Sequence, residues 1–240
     1  KKRFSLRYKL MIIFGALIAA ASLAEIILAV HTARLAVTKG IEDHLIDKAS
    51  DTAGIIDKQV TAFWQLFEGL ARTPILRVPA VSYQEKTAFL AKEAAFNNDV
   101  YSMDLCDMNG QRHTNTGKII DVSDRTYFQV AAQGKPFVEE PVISRLDEEL
   151  VFVFAVPIYD DNRTVVGVLL ATVKAEILSK QIDDITVGKT GYCYLLGTTG
   201  TIIAHQDFNL VEQMTNHGEK SKSDNSLHST AAFEKMALET

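Results

Sequence analysis

Residues 10–30 form an unbroken apolar run, LMIIFGALIAAASLAEIILAV, in which Glu25 is the one charged residue. A helix of this length spans roughly 30 Å, the thickness of the hydrocarbon core of a bilayer. Cations precede the run at five of the first nine positions: Lys1, Lys2, Arg3, Arg7 and Lys9. The positive-inside rule then predicts a cytoplasmic tip over residues 1–9, a membrane span over 10–30 and an extracytoplasmic remainder.

Two other structures are compatible with an apolar segment near an amino terminus. A cleaved signal peptide has the same basic start, and Ser22-Leu23-Ala24 resembles its cleavage site. The apolar run nevertheless continues to Val30, which favours an uncleaved anchor. A buried core helix is the third interpretation, and it is disfavoured because the run shows no polar face. We therefore expect a protein of the cell membrane.

The charge of the chain is distributed unevenly. The formal net charge is −5, yet the tip carries +5, so the residues after it hold 20 basic and 30 acidic side chains. An acidic body argues against nucleic acid as a partner. Apolar residues make up 47% of the chain, which excludes a disordered protein, and two cysteines exclude a disulfide scaffold.

A helical stripe follows the apolar run. Apolar side chains recur in steps of three and four residues at Ile41, Leu45, Ala49, Ala53, Ile56, Val60, Phe63, Phe67 and Leu70. No proline interrupts this pattern before Pro74, so a stalk helix is predicted over residues 31–73. Ile55 and Trp64 lie beside the stripe and widen it. Packing along the chain's own domain and packing in a homodimer both fit the stripe, and we expect a homodimer.

The rest of the chain has the pattern of an α+β fold. Ser82 and Glu85 form a capping box, which predicts a second helix of about a dozen residues. Alternating apolar residues then predict strands at 100–106, 111–116, 137–143, 150–159 and 164–173, with a short helix at 123–133. Short turns between these strands favour an antiparallel sheet with the helix covering one face.

A second unit begins in the same way after this sheet. Residues 174–185 are predicted to be helical, 191–196 and 201–205 to form a hairpin, and 229–239 to form a last helix. The hairpin repeats the one around Asn109-Gly110, but the strands that should follow are missing. We therefore predict a membrane-distal unit over 74–178 and an incomplete membrane-proximal unit over 179–240.

Several short segments carry a family resemblance. They are Asp124-Arg125-Thr126-Tyr127-Phe128, Gly134-Lys135-Pro136, Glu140-Pro141-Val142-Ile143-Ser144, Val153-Phe154-Ala155-Val156-Pro157-Ile158, Gly188-Lys189-Thr190-Gly191-Tyr192 and Gly200-Thr201-Ile202-Ile203-Ala204-His205. In this order, behind a membrane anchor and a long helix, the chain resembles the double Cache (dCache_1) sensor domain of bacterial transmembrane receptors. The resemblance implies tandem PAS-like sheets and the sensing of a small molecule. Chemoreceptors, histidine kinases and diguanylate cyclases carry such domains, and a methyl-accepting chemotaxis protein is the expected host.

The resemblance also implies a ligand site. In family members that bind amino acids, an Arg-x-aromatic-aromatic motif holds the ligand carboxylate, and here it is Arg125-Thr126-Tyr127-Phe128. A guanidinium offers a planar fork to a carboxylate, and neighbouring rings exclude water. The alternative is a surface arginine beside two core aromatics. Strand order places Tyr101, Ser144 and Asp147 near the same pocket as weaker candidates.

This sequence departs from the amino-acid pattern at two positions. Val142 stands where a tyrosine is expected, and Thr172 stands near the position of the aspartate that would meet a ligand amine. The expected ligand is therefore a carboxylate, another small anion or a different small metabolite. Direct binding and sensing through a binding protein are both compatible with the sequence.

Motifs for other functions fail on spacing. Gly188-Lys189-Thr190 suggests a phosphate loop, but Asp183 occupies the position where that loop needs a glycine. The histidines and cysteines lack zinc spacing, and we expect neither a metal nor a cofactor. Without a catalytic constellation, an enzyme is not expected. A membrane-anchored enzyme and a structural scaffold remain the alternatives from other functional classes.

Overall fold

A single long helix opens the structure. The structure is a computed structural model that describes residues 6–239, apart from the side chains of residues 8 and 9. Helix α1 runs without interruption over Leu6–Ala71, in agreement with the absence of proline before Pro74. Its part up to Thr52 is one unit, and the chain from Ala53 onward is a second, compact unit. Of the tip predicted over residues 1–9, residues 1–5 lie outside the described residues.

The compact unit contains short helices and strands around one large sheet. After α1 the helices are α2 (Pro74–Arg77), α3 (Tyr83–Ala94), α4 (Thr126–Ala132), α5 (Glu176–Ile182), α6 (Asn209–Glu212), α7 (His217–Lys220) and α8 (His228–Leu238). The strands are β1 (Val100–Cys106), β2 (Gln111–His113), β3 (Ile119–Asp121), β4 (Phe137–Ile143), β5 (Leu150–Tyr159), β6 (Val165–Lys174), β7 (Thr186–Val187), β8 (Gly191–Tyr192), β9 (Leu195–Leu196) and β10 (Ile202–Ala204).

The main sheet has six antiparallel strands in the order β3-β2-β1-β6-β5-β4. The predicted bounds of β1, β4 and β5 agree with the structure, and the predicted α+β class is confirmed. Strand β3 was not predicted, since three residues carry too little periodicity to stand out. The strand predicted over 111–116 ends at His113 in the structure, because the chain then turns back into β3.

One face of the main sheet packs against the carboxy-terminal part of α1. Phe63 and Phe67 of α1 stack at a centroid distance of 5.8 Å, and both contact Phe154 of β5. Trp64 meets the same Phe154 ring edge-on at 5.2 Å. The end of the stripe therefore packs on the chain's own sheet, whereas Ile41 and Leu45 are exposed.

The other face of the sheet is covered by α4. Tyr127, Phe128 and Ala131 of α4 are buried in a second apolar cluster with Val153 of β5 and Leu170 of β6. The turn Asn109-Gly110 packs closely against Ser123, which precedes α4. Gly110 has a φ of +82°, and a Cβ there would lie 2.5 Å from the Cα of Ser123. The helical connection thus covers one face, as the turn pattern predicted.

The carboxy-terminal segment contains two small sheets. Strand β7 pairs with β8, and β9 pairs with β10. The predicted strand 191–196 is therefore split, because residues 193 and 194 leave the extended ladder. The polar stretch 206–228 contains α6, α7 and a 3₁₀ turn at Asn225–Leu227. The predicted domain boundaries stay predictions.

Candidate functional site

Arg125 stands at the start of α4 and defines the candidate site. The sequence places it in the first turn of a helix beginning at Ser123, but α4 begins at Thr126 and Arg125 is its extended N-cap residue. The reason is local, since the carboxylate of Asp121 accepts the N–H of Ser123 and holds an open loop before the helix. Arg125 is half-buried, and its Nη2 lies 3.5 Å from the carbonyl oxygen of Ile143 at the end of β4.

The two aromatic residues of the motif form the apolar wall of the site. Tyr127 and Phe128 are 5% and 6% exposed and belong to the cluster between α4 and the sheet. Burial raises the pKa of Tyr127, although the charges of Arg112 and Arg125 oppose the shift. Tyr127 is therefore a neutral phenol in a low-dielectric environment, where a neighbouring guanidinium binds an anion more strongly than in water.

Two buried atoms, from side chains of opposite charge, lie beside this wall without a hydrogen-bond partner in the described part of the chain. Among residues 6–239, Nε of Arg125 and Oε2 of Glu139 are buried without a hydrogen-bond partner, and the third such atom is Nε2 of His113. Glu139 belongs to β4 and lies opposite Val153 in the ladder, so its side chain faces the α4 side of the sheet. We call Nε of Arg125 and Oε2 of Glu139, with their side chains, the Arg125–Glu139 site.

The electrostatics of the Arg125–Glu139 site favour occupation. Burial raises the pKa of Glu139, and the adjacent charge of Glu140 raises it further. The charge of Arg125 and the backbone N–H of Tyr127 act in the opposite direction. A buried polar atom without a partner costs roughly 1–3 kcal/mol, so a ligand that satisfies both atoms recovers this free energy on binding.

The loop between β4 and β5 brings the remaining predicted residues together. The hydroxyl of Tyr101 on β1 donates to Asp147 at 2.5 Å, and Ser144 is buried at the base of the loop. This bond raises the pKa of Tyr101 to about 12. Burial alone would raise the pKa of Asp147. Hydrogen bonds from Tyr101 and Ser144 stabilise the carboxylate more strongly, so the pKa of Asp147 is lowered.

A second contact fixes the same loop to the start of α4. Arg145 forms a two-pronged ion pair with Asp124, each prong 2.7 Å long, and also donates to the carbonyl oxygen of Asp121. The hydrogen bond from Arg145 lowers the pKa of Asp124. Arg145 thus ties the loop to the segment before α4, whereas Tyr101 and Asp147, which bond to each other, are exposed.

A buried ion pair occupies the polar end of the same sheet face. Nε and Nη2 of Arg112 lie 2.9 and 2.5 Å from Oδ2 of Asp104, and both residues are nearly inaccessible to solvent. Ser102 bridges this pair to Thr172, whose hydroxyl lies 2.8 Å from Oγ of Ser102. Thr172 stands near the position where the resemblance implies an aspartate. It therefore lies close to the carboxylate of Asp104 on the neighbouring strand.

Glu139, Asp104 and Arg112 were not among the predicted site residues. A signal was present for Asp104, which is a charged residue in the apolar strand VYSMDLC. Arg112 lies opposite Cys106 across the hairpin, on the same face as Asp104 two residues away. Glu139 gave no such signal, because its direction depends on the register with β5.

A comparison with protein families identifies the domain. The model of the dCache_1 family, described as a Cache domain, matches residues 30–236. The chain belongs to this family. The match covers both sheet-bearing parts of the chain and leaves out most of the apolar run. No curated protein matches the chain at the level of sequence.

Solved structures share the Cache fold of this chain. The ligand-binding domain of the Pseudomonas aeruginosa amino acid chemoreceptor PctC, in complex with GABA, is 20% identical with a TM-score of 0.61, covering 75% of this chain and 81% of that one. That of the Pseudomonas fluorescens chemoreceptor CtaA, in complex with L-leucine, is 19% identical with a TM-score of 0.61, covering 78% of each chain. The extracellular domain of the putative histidine kinase mmHK1S-Z2 is 16% identical with a TM-score of 0.62, covering 80% and 82%.

Helix α1 is the membrane-span candidate in the described part of this Cache protein. Its most apolar window has a mean hydropathy of 2.4, and its side chains there are exposed in the structure. Within residues 6–239, no group of three His, Cys, Asp or Glu side chains is arranged to hold a metal ion.

Proposed function

We propose that this Cache domain is the extracytoplasmic sensing module of a bacterial membrane receptor, anchored by residues 10–30. A small ligand enters beside α4, and its binding is passed along α1 to a cytoplasmic signalling part. The most apolar section of α1 and the family match beyond it support this arrangement. Chemotaxis is the proposed output, since chemoreceptor domains recur among the similar structures.

The observation that carries the proposal is the Arg125–Glu139 site. Its buried guanidinium nitrogen and its buried carboxylate oxygen have no protein partner within residues 6–239. Folded proteins rarely leave such atoms unsatisfied unless a ligand or water uses them. The site therefore fits a small molecule that has an acceptor, such as a carboxylate, for Arg125. The same molecule would offer a donor, such as an ammonium or hydroxyl group, to Glu139.

The aromatic wall supports direct binding by a small ligand. Tyr127 and Phe128 exclude water on one side, and the loop held by Arg145 and Asp147 borders the other. The solved relatives with GABA and L-leucine hold molecules that have both a carboxylate and an amine. Glu139 offers the acceptor for an amine that Thr172 does not provide. We therefore place small amino-carboxylates first among the ligands to test.

The histidine-kinase relative supports a second host for the same module. The sensing chemistry would be unchanged, and the signal would reach a kinase instead of a chemotaxis signalling domain. We do not propose catalysis, because no nucleophile and base are paired among the site residues named above.

A binding experiment on the 240-residue chain in lipid nanodiscs tests the function. The probes are L-valine, L-leucine and 4-aminobutanoate, each compared by calorimetry with the acid that lacks its amine. We expect Arg125→Ala to weaken binding of the amino-carboxylates by roughly tenfold to a hundredfold, the loss of one or two charge-assisted hydrogen bonds. Glu139→Gln should reduce the preference for the amine without removing binding of the plain acid.

Arg72→Ala is the matched control, because Arg72 is an exposed arginine directly after α1 that pairs with Glu68. It should bind like the unmodified chain. Equal binding by Arg125→Ala would contradict the site, and no binding of any acid or amino acid would contradict the proposed ligand class.

A further inference from the structure

The residue next to Glu139 makes a contact far along the chain. Oε1 of Glu140 accepts the backbone N–H of Thr198 at 2.6 Å and its hydroxyl at 2.7 Å. Thr198 belongs to the turn between β9 and β10. In this turn the N–H of Gly200 donates to the carbonyl oxygen of Gly197. One carboxylate of β4 therefore binds the turn of the carboxy-terminal hairpin by two charge-assisted hydrogen bonds.

The turn is shaped to receive this carboxylate. A Cβ at Gly197 would lie 2.7 Å from Cδ of Glu140, closer than two carbon atoms can approach. A side chain at this position would therefore displace the Glu140 carboxylate, so the contact between Glu140 and the turn depends on glycine here. The missing side chain and the two donors of Thr198 are independent features that fit the same carboxylate.

Adjacent carboxylates of β4 point to different faces because side chains alternate along a strand, and the strand is irregular beyond Glu139. The ladder with β5 is regular up to Glu139 and resumes at Val142, with a register shift in between. A bulge of this kind redirects side chains, and Pro141 within it has no N–H to restore the ladder. Glu139, in the regular part of the ladder, faces α4, whereas Glu140, inside the irregular part, reaches the turn.

We propose that Glu140 couples the Arg125–Glu139 site to the β9–β10 turn. The coupling rests on the proposed function, because it makes ligand occupancy the input. A ligand that contacts Glu139 changes the position and charge environment of the β4 bulge, and Glu140 carries that change to Thr198. A cavity of about 180 Å³ between the bulge and the hairpin, lined in part by Val142, Ile203 and Met214, leaves room for movement.

Hydrogen exchange in the 240-residue chain in nanodiscs tests this coupling without a ligand. Glu139→Gln perturbs the ligand side of the bulge and does not touch the turn. We expect it to change amide exchange over residues 197–204 by about two- to thirtyfold, the range reported for coupling mutations. In a Glu140→Ala background the same change should disappear. Glu149→Gln, at an exposed carboxylate just before β5, is the control and should leave residues 197–204 unchanged.

Gly197→Ala provides a second route to the same result. The added methyl group displaces the Glu140 carboxylate without altering any charge, so it should also abolish the response to Glu139→Gln. A structural contact without coupling would give no response, or the same response with and without Glu140, and either result overturns the proposal. Because no ligand is used, this outcome is independent of the binding experiment on Arg125.

Discussion

Removing Arg112 is expected to leave Asp104 as an uncompensated charge in the core. Arg112 and Asp104 have side chains that are 4% and 2% exposed, and Arg112 donates to Asp104 through two nitrogens. Breaking a buried pair by removing one partner costs about 3–5 kcal/mol. Arg112→Met should therefore lower the free energy of unfolding by about that amount, a large part of a typical domain's 5–15 kcal/mol.

The single tryptophan provides the assay. Trp64 packs against Phe154 in the core between α1 and the sheet, so its fluorescence reports unfolding of the compact unit in urea. Arg112→Met combined with Asp104→Leu removes both charges and should recover most of the loss. A single variant that costs less than about 1 kcal/mol would refute the reasoning, as would a double variant no more stable than the single one.

The remaining predictions concern other parts of the same unit. Gly110→Ala should destabilise the fold by about 1–3 kcal/mol in urea titrations, because φ is positive there and Ser123 blocks a Cβ. Burial raises the pKa of Cys106 to about 12, so at neutral pH this thiol should react with an alkylating reagent only after unfolding, in a Cys193→Ser background. Modification at the rate of an exposed thiol would contradict this. The bond to Asp147 raises the pKa of Tyr101 to about 12. Its contribution to stability should therefore be complete below about pH 10 and lost as the pH rises through 12. Asp147→Asn should move the tyrosinate transition, measured by ultraviolet difference against Tyr101→Phe, back towards lower pH.

The elements that could be predicted from the sequence are those whose apolar pattern repeats over many residues, or whose first residues form a helix cap. The apolar run and the stripe predicted one continuous helix, and Ser82 with Glu85 predicted the start of α3, where both capping hydrogen bonds are present. Alternation over seven to ten residues fixed β1, β4 and β5. Strands β8 and β9 have two residues each, which is too short to show alternation. The sequence pattern therefore predicts a single strand over 191–196.

The site was predicted only as far as its residues lie in a motif. Arg125, Tyr127 and Phe128 were found together because the motif is contiguous along α4. Glu139 is 14 positions from Arg125, and its side chain reaches the α4 face only because it pairs with Val153. One residue further along, the same strand pattern gives Glu140 a different partner. Which of the two neighbouring carboxylates faces α4 is decided by the register of β4 with β5, and no local sequence pattern marks that register.

The three buried atoms without partners among residues 6–239 do not have the same meaning. Nε2 of His113 lies 3.6 Å from Oδ2 of Asp107, and the ring stacks on Tyr83, so a carboxylate lies close to this atom. Arg125 and Glu139 carry formal charges, which raises the cost of leaving them open, yet they form no ion pair with each other in the described chain. Direct pairing would have been the simplest way to satisfy both atoms. Keeping them apart costs stability, and such a cost supports the proposal that a ligand pairs with both atoms.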